Sequence, residues 1–250
     1  MAKVRLDQIL VTRGLAPTRA RAQAIVLAGD VYVGGSRVDK AGTLVAPDAE
    51  IEVRSSRNPY VSRGGIKLAG ALDAFGIDPA GLRCLDVGAS TGGFTDCLLQ
   101  RGAARVVAVD VGYGQLAQKL RDDPRVVVME RTNARDLDAP DVGGAADLTV
   151  VDASFIGLGK LAAAIARCTR EGGALVALVK PQFEVGREEA SRGRGVVRDA
   201  ALRAEAIARA AESVRDAGFD LLGQADSTLP GPKGNLEAFV HARRTAKPPL

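Results

Sequence analysis

LDVGASTGGFTD, residues 85 to 96, joins a short apolar run to a glycine-rich turn and then to a helical pattern. Such a turn is typical of the first βαβ unit of an open α/β sheet, where ligands bind at the carboxyl ends of the strands. Further apolar runs follow, with amphipathic stretches between several of them: ARVVAVD, RVVVME, DLTVVD, ALVALVK, DLLGQADS and LEAFVHAR. This rhythm predicts a Rossmann-like α/β fold with a mostly parallel seven-stranded sheet covered on both faces.

The residues before this sheet predict a small α+β unit. RLDQILVTRG and APTRARAQAIVLAG predict two helices, the second of which is partly apolar at Ala24, Val26 and Leu27. DVYVGGSRVDK predicts a hairpin around two glycines, and AEIEV predicts another strand. A polar stretch, RSSRNPYVSRGG, comes next. We therefore expect domains at residues 1–56 and 64–250, joined by a linker at 57–63.

Charge is distributed unevenly between the two parts of the chain. The net charge is +4, and residues 1 to 63 contain ten Lys or Arg against six Asp or Glu, whereas the remainder contains twenty-four of each. All of the surplus positive charge therefore lies in the first quarter of the sequence. This asymmetry favours a basic module that binds a polyanion, although a basic face that only aids solubility is the simpler alternative.

Several classes of protein are disfavoured by composition. The longest apolar run, ALVALV, is far shorter than the roughly 18 to 20 residues of a membrane span, and the amino terminus has no export signal. The three cysteines are widely spaced and His241 is the only histidine, so we expect no metal site and no thiol nucleophile. We expect a cytoplasmic protein.

The glycine-rich turn and the next strand end indicate a site for an adenosine-like ligand. Gly88 lets the chain leave the strand sharply, and Asp110, at the end of VVAVD, is placed to accept hydrogen bonds from both ribose hydroxyls. Dinucleotides and S-adenosylmethionine both use this arrangement, and a turn without a ligand is the third alternative. A dinucleotide fingerprint requires G-x-G-x-x-G, but its second glycine is Ser90 here, which favours S-adenosylmethionine.

Charged residues at other strand ends predict a second part of the same site. Asp152 ends the fourth strand of the series and Lys180 ends the fifth, so we expect both to project into one crevice. A simple ion pair at the strand ends is the alternative. Lys67 in SRGGIKL and Glu237 in GPKGNLEAF also lie in stretches suited to close backbone approach.

The motifs VSRGGIKL, LDVGASTGGFTD, DVGYGQL, VDASF, LVKPQFEVG and LPGPKGNLEAF together resemble the TlyA family of ribosomal RNA (cytidine-2′-O)-methyltransferases, over nearly the whole chain. The first sixty residues are similar to the small RNA-binding domain named after a protein of the small ribosomal subunit. The remainder resembles FtsJ-type methyltransferases. That resemblance implies a catalytic Lys-Asp-Lys-Glu tetrad formed by Lys67, Asp152, Lys180 and Glu237.

The resemblance also implies S-adenosylmethionine as donor, S-adenosylhomocysteine as product, and ribosomal RNA in ribosomal subunits as partner. Large-subunit RNA is the expected target, and a longer subtype of the family also methylates small-subunit RNA. This chain starts close to its first helix and stops soon after FVHARR, which favours the shorter subtype. Candidate donor-binding residues are Asp86, Gly88, Ser90, Thr91, Gly92, Gly93, Asp110 and Asn133. Candidate RNA-binding residues are Arg5, Arg13, Arg19, Arg21, Lys40 and Arg63.

The chemistry of hydroxyl methylation suits these residue types. A ribose hydroxyl is a poor nucleophile, so an enzyme must align it with the methyl group and remove its proton. Lys180 is our candidate base, although a lysine pKa of about 10.4 must be lowered for this role. Enzymes that methylate base amines commonly carry Pro-Pro-aromatic where this chain has ASF. Phe155 and Phe183 could stack on a base, but core packing is the commoner role.

Three other functions are consistent with parts of the sequence. Members of the TlyA family, which this chain resembles, have been called haemolysins, so a membrane-active protein is one alternative. Pseudouridine synthases carry similar RNA-binding domains, but their catalytic Asp follows Gly-Arg-Leu, and RLD occurs here only at residues 5 to 7 without the glycine. A dinucleotide-dependent oxidoreductase is the third.

Overall fold

The computed structural model describes residues 3–16, 18–27, 29–53, 58–185, 195–231 and 233–246. The chain divides into two compact units, Met1–Asn58 and Pro59–Leu250, which we call the small unit and the large unit. The division falls within the stretch expected to be a linker, of which residue 57 lies outside the described residues.

The small unit combines two helices with two short sheets. Helices α1 (Leu6–Thr12) and α2 (Arg19–Leu27) precede the hairpin of β2 (Val31–Val33) and β3 (Ser36–Arg37). Strand β5 (Ile51–Val53) pairs antiparallel with β2. The expected hairpin is present, and both of its turn glycines have positive φ. A second sheet, β1 (Val4–Arg5) with β4 (Leu44–Val45), was not predicted, because two-residue strands carry no periodic signal.

Of the three residues noted as partly apolar in α2, only Val26 is buried. Ala22, Ile25 and Val26 face the core of the small unit, whereas Leu27 is 73% exposed and Ala24 is also exposed. Positions 22, 25 and 26 follow the i, i+3, i+4 spacing of one helix face, so Ala22 rather than Leu27 completes the apolar stripe.

The large unit contains the predicted seven-stranded sheet. Its strands are β6 (Arg83–Val87), β7 (Arg105–Val109), β8 (Val126–Met129), β9 (Ala146–Val151), β10 (Thr169–Val179), β11 (Phe219–Asp226) and β12 (Ala238–Arg244). They lie in the order β11-β12-β10-β9-β6-β7-β8. β12 alone runs opposite to the other six strands, so the sheet is mostly parallel and the predicted Rossmann-like fold is confirmed.

Helices cover both faces of this sheet. Helices α3 (Arg63–Phe75) and α4 (Gly93–Gln100) pack on one face, together with the short α5 (Gln118–Arg121). Helices α6 (Ala162–Cys168) and α8 (Ala200–Asp216) pack on the other. The short α7 (Pro181–Glu184) follows β10 directly. The carboxyl ends of β6, β7, β9 and β10 therefore share one edge, where the candidate site lies.

Candidate active site

The turn after β6 lies against the end of β9. Gly88 has φ +87, and a side chain there would come within 2.9 Å of the Asp152 carbonyl oxygen and 3.1 Å of the Ala153 α carbon. Glycine is therefore required by backbone conformation and by the close approach of a second strand end. The close packing brings the turn and Asp152 to one place.

Asp110 ties this turn to the end of β7. Its Oδ2 accepts a 2.7 Å hydrogen bond from the Ser90 backbone N–H, and its Oδ1 accepts one of 2.7 Å from the Gly112 N–H. Ser90 has φ +48, an unusual conformation for a residue with a side chain. A carboxylate has about four lone-pair sites, so Asp110 retains acceptor capacity toward the adjoining cavity.

A cavity of about 300 Å³, the larger cavity, opens at the ends of β6, β7 and β9. Four predicted donor-binding residues line it: Gly88, Ser90, Asp110 and Asn133. Asn133 also caps the short 3₁₀ turn Ala134–Asp136, since its Oδ1 accepts a hydrogen bond from the Arg135 N–H. Sequence reasoning missed Val111, Gln115 and Thr132, which also line this cavity.

A second cavity of about 240 Å³, the smaller cavity, adjoins the first and shares Gly88, Ser90 and Asp152 with it. All four residues of the expected tetrad line it, together with Arg63, Thr91 and Gly93. The tetrad side chains come from α3, from the ends of β9 and β10, and from the residue before β12. Four distant stretches of the chain thus meet at one cavity.

The tetrad forms two ion pairs. Lys180 Nζ lies 2.7 Å from Asp152 Oδ1 and donates a 2.8 Å hydrogen bond to Ser154 Oγ. Lys67 Nζ lies 2.5 Å from Glu237 Oε2, and both of these residues are buried. Removing one partner of a buried pair leaves an uncompensated charge, which makes Lys67 and Glu237 costly to replace.

Two carboxylate oxygens of the tetrad are buried without a hydrogen bond. They are Glu237 Oε1 and Asp152 Oδ1, the latter because its ion pair with Lys180 is close but poorly aligned. Buried acceptors of this kind normally have a donor. Both residues line the smaller cavity, so the two unsatisfied oxygens lie in the side chains that border it.

Two predicted donor-binding residues do not reach either cavity. Asp86 is completely buried beneath the turn, where its Oδ2 accepts a 2.6 Å hydrogen bond from the Thr95 hydroxyl. Burial, with smaller contributions from Asp152 and Asp110, raises the pKa of Asp86 to about 7. Gly92 instead makes room for apolar packing, because a side chain there would lie 2.2 Å from Leu120.

Phe155 contradicts the expectation of a core aromatic. It is 91% exposed, has φ +68 and lines the larger cavity. Its ring centroid lies 5.5 Å from that of Phe183. An exposed aromatic in a left-handed conformation is unusual, and no spacing in the sequence signals it.

The predicted RNA-binding residues fall into three groups. Arg5 and Arg19 pair with the buried Asp7, and Arg13 donates to the carbonyl oxygens of residues 47 and 49. Arg21 and Lys40 are exposed in the small unit. Arg63 belongs to the large unit and lines the smaller cavity.

The chain matches two family models. The model described as FtsJ-like methyltransferase covers residues 60–244, and the S4 domain model covers residues 4–51. Within the described residues, no helix is both long and apolar enough to cross a membrane.

Named relatives resemble nearly the whole chain. The 16S/23S rRNA (cytidine-2′-O)-methyltransferase TlyA of Mycobacterium tuberculosis is 50% identical over 242 residues, which is 96% of this chain and 90% of the relative. Hemolysin A of Brachyspira hyodysenteriae is 41% identical over 239 residues, which is 95% of this chain and 99% of the relative. A solved structure described as a putative hemolysin from Streptococcus thermophilus superposes with a TM-score of 0.78. Its sequence is 40% identical, and the match covers 99% of this chain and 90% of that one.

These matches extend over both units, and the larger family model covers the whole sheet and both cavities. The chain therefore belongs to the FtsJ-like methyltransferase family and, within it, to the TlyA group, with an S4 domain at its amino-terminal end.

Proposed function

We propose that this protein transfers a methyl group from S-adenosylmethionine to the 2′-hydroxyl of a cytidine in ribosomal RNA. The observation that carries the proposal is the meeting of Lys67, Asp152, Lys180 and Glu237 at one cavity beside the larger cavity. Cytidine in ribosomal RNA is the substrate for which the M. tuberculosis relative is named.

The larger cavity fits the donor. Asp110 has acceptor capacity for the ribose hydroxyls, and of the other lining residues we assign Asn133 to the adenine and Gly88 to the methionine part. Bound there, S-adenosylmethionine supplies a methyl group carried on a positively charged sulfur. S-adenosylhomocysteine is then the product.

The smaller cavity fits the ribose of the acceptor. In the proposed reaction Glu237, which lines this cavity, fixes Lys67 through their ion pair and borders the bound ribose. Lys180, in its neutral amine form, receives the proton of the attacking hydroxyl as the oxygen bonds to the methyl carbon and the carbon–sulfur bond breaks, and the resulting ammonium pairs with Asp152. Asp152 and Ser154 hold the amine of Lys180 in place, and Lys67 supplies a second positive charge.

The small unit binds the RNA backbone in this proposal. Its S4 match and its surplus of basic residues support contacts to phosphates, which position RNA without reading its sequence. Arg21 and Lys40 are exposed, and Arg5 and Arg19 keep free N–H groups beyond those that hold Asp7. Because ribosomal subunits are the substrate, we place the reaction in the cytoplasm.

Radiolabelled S-adenosylmethionine and separated ribosomal subunits test this reaction directly. We expect label on the 2′-oxygen of a cytidine, located by mapping the modified nucleotide. Label on a base nitrogen or carbon, or none on any subunit, would overturn the proposal. Release of dye from liposomes without methyl transfer would support the membrane-active alternative instead.

Lys180→Met tests the assigned base. We expect transfer to fall by at least about 100-fold, because general base catalysis contributes on the order of 10²–10⁴, while donor affinity stays unchanged. Lys160→Met, which removes an exposed lysine, is the matched control. A parallel loss of donor binding in Lys180→Met would assign that residue to structure rather than to catalysis.

A further inference from the structure

Asn235 lies two residues before Glu237 and is 2% exposed. Its Nδ2 donates a 2.8 Å hydrogen bond to the Gly195 carbonyl, and its Oδ1 accepts one of 2.9 Å from the Val197 N–H. Both ends of the amide are thus paired with backbone groups that lie 38 and 40 residues away in sequence. The side chain joins the turn before β12 to the stretch that leads into α8.

Arg203, in the first turns of α8, holds the main chain at Glu237. Its Nε donates a 2.9 Å hydrogen bond to the Leu236 carbonyl, and its Nη2 donates a 3.4 Å bond to the Glu237 carbonyl. The same guanidinium pairs with Asp226 at the end of β11. The backbone on both sides of the Glu237 α carbon is therefore fixed from one helix.

Gly231 shapes the space around the Glu237 carboxylate. A side chain at this position would lie 2.5 Å from Glu237 Oε1 and 3.1 Å from Cδ. Its N–H donates a 2.9 Å hydrogen bond to the Asn235 carbonyl, which closes the turn beneath the carboxylate. Gly231 is not in the left-handed region, so alanine would disturb Glu237 Oε1 without straining the backbone.

We propose that Asn235 and Arg203 are positioning residues for methyl transfer: together they hold Glu237, and through its ion pair Lys67, at the smaller cavity. The inference rests on the role proposed above for Glu237. Neither positioning residue lines either cavity, so neither is expected to touch the donor or the RNA. A displacement of about 1 Å in a reacting group can cost on the order of 100-fold in rate, which is why a contact away from the chemistry matters.

Asn235→Ala and Gly231→Ala test the inference in the full-length protein with ribosomal subunits as substrate. We expect kcat to fall by about tenfold or more in each variant, with the KM for RNA and the Kd for S-adenosylmethionine unchanged. In Asn235→Ala, amide hydrogen exchange at Val197 should also become faster, because its acceptor is lost. The matched controls are Leu236→Ala, which trims an exposed neighbour, and Arg209→Ala, which removes an exposed arginine from the same helix.

Arg203 is tested by a conservative pair. Arg203→Ala should lower kcat, and Arg203→Lys should recover part of it, because a lysine retains one charged donor toward the carbonyls of residues 236 and 237. A residue that only stabilises the fold would lower the melting temperature without this split between kcat and the two binding constants.

The outcomes separate the two proposals. An inactive wild-type protein would overturn the proposed function, and Val197 exchange would still report whether Asn235 holds its segment. An active wild type in which Asn235→Ala matches Leu236→Ala in kcat would overturn the inference alone. Should Asn235→Ala fail to fold, an unchanged kcat in Gly231→Ala would overturn it.

Discussion

Asp7 in the small unit and Asp86 in the large unit are both completely buried, yet their pKa values shift in opposite directions. Asp7 accepts hydrogen bonds from Arg5, Arg19 and Gln23, which hold its pKa far below the usual value. Asp86 accepts from Thr95 only weakly compensating bonds, from its hydroxyl and its backbone N–H, and burial outweighs them and raises the pKa of Asp86 to about 7. Burial alone therefore does not decide whether a carboxylate is charged; its partners do.

The two aspartates act on stability in opposite pH ranges. The folded pKa of Asp7 is lowered, so its contribution is complete above the unfolded value of about 3.9 and is lost as the pH falls. The folded pKa of Asp86 is raised to about 7, so its contribution is complete below about 3.9 and is lost as the pH rises through 7. Each shift can be tested by removing one group.

Asp86→Asn should have the largest effect on this comparison. The amide cannot ionise, so the variant lacks the cost of a buried charge at high pH. Relative to wild type, its free energy of unfolding should gain about 4 kcal/mol between pH 4 and pH 8.5, which is about three pKa units at roughly 1.4 kcal/mol each. Denaturant titrations across this pH range measure the gain.

Asp136→Asn, at an exposed position, is the control for the Asp86 substitution. It should track the wild type at every pH. A difference between Asp86→Asn and wild type that does not vary with pH would mean that Asp86 is not neutralised by burial, and the contrast with Asp7 would disappear.

Asp7→Ala should destabilise the small unit by about 3 kcal/mol at pH 7, because one buried acceptor of several charged hydrogen bonds is removed. Hydrogen exchange measured by mass spectrometry can follow α1 and α2 separately from α3. We expect faster exchange in the first two helices only. Asp39→Ala removes an exposed acid from the same unit as the control, and equal protection in both variants would contradict the assignment.

The sheet of the large unit and the residues at its strand ends could be predicted from the sequence. Each of the seven strands of the large sheet coincides with its own apolar run, so the sheet could be predicted from local sequence patterns. The strand-end rule also brought Asp152 and Lys180 to one edge, because the carboxyl ends of parallel β9 and β10 are adjacent. The places of Lys67 and Glu237 were expected from the family resemblance.

The hydrogen-bond donors to the buried aspartates could not be predicted from the sequence, because several of them are distant along the chain. Asp7 and Asp86 each follow a leucine, and nothing local distinguishes them. The donors to Asp7 include Arg19 and Gln23, which are 12 and 16 residues away on a second helix. Arg13 similarly donates to carbonyl oxygens 34 and 36 residues away. These bonds could not be seen in the sequence, where Arg13 was predicted to contact RNA phosphates. Such pairings depend on how α1 packs in three dimensions.

Thr95→Val should have the smallest effect and sharpens the comparison. Valine keeps the size and branching of threonine but removes the hydroxyl that donates to Asp86 Oδ2. Without that donor the charged form of Asp86 loses the stronger of its two hydrogen bonds from Thr95, so its pKa should rise further and the large unit should lose about 1 kcal/mol at high pH. The pH midpoint of stability, measured by denaturant titration, should move upward in Thr95→Val and should vanish in the double variant with Asp86→Asn. A midpoint that stays in place would mean that Thr95 does not stabilise the carboxylate, and that burial alone sets the ionisation of Asp86.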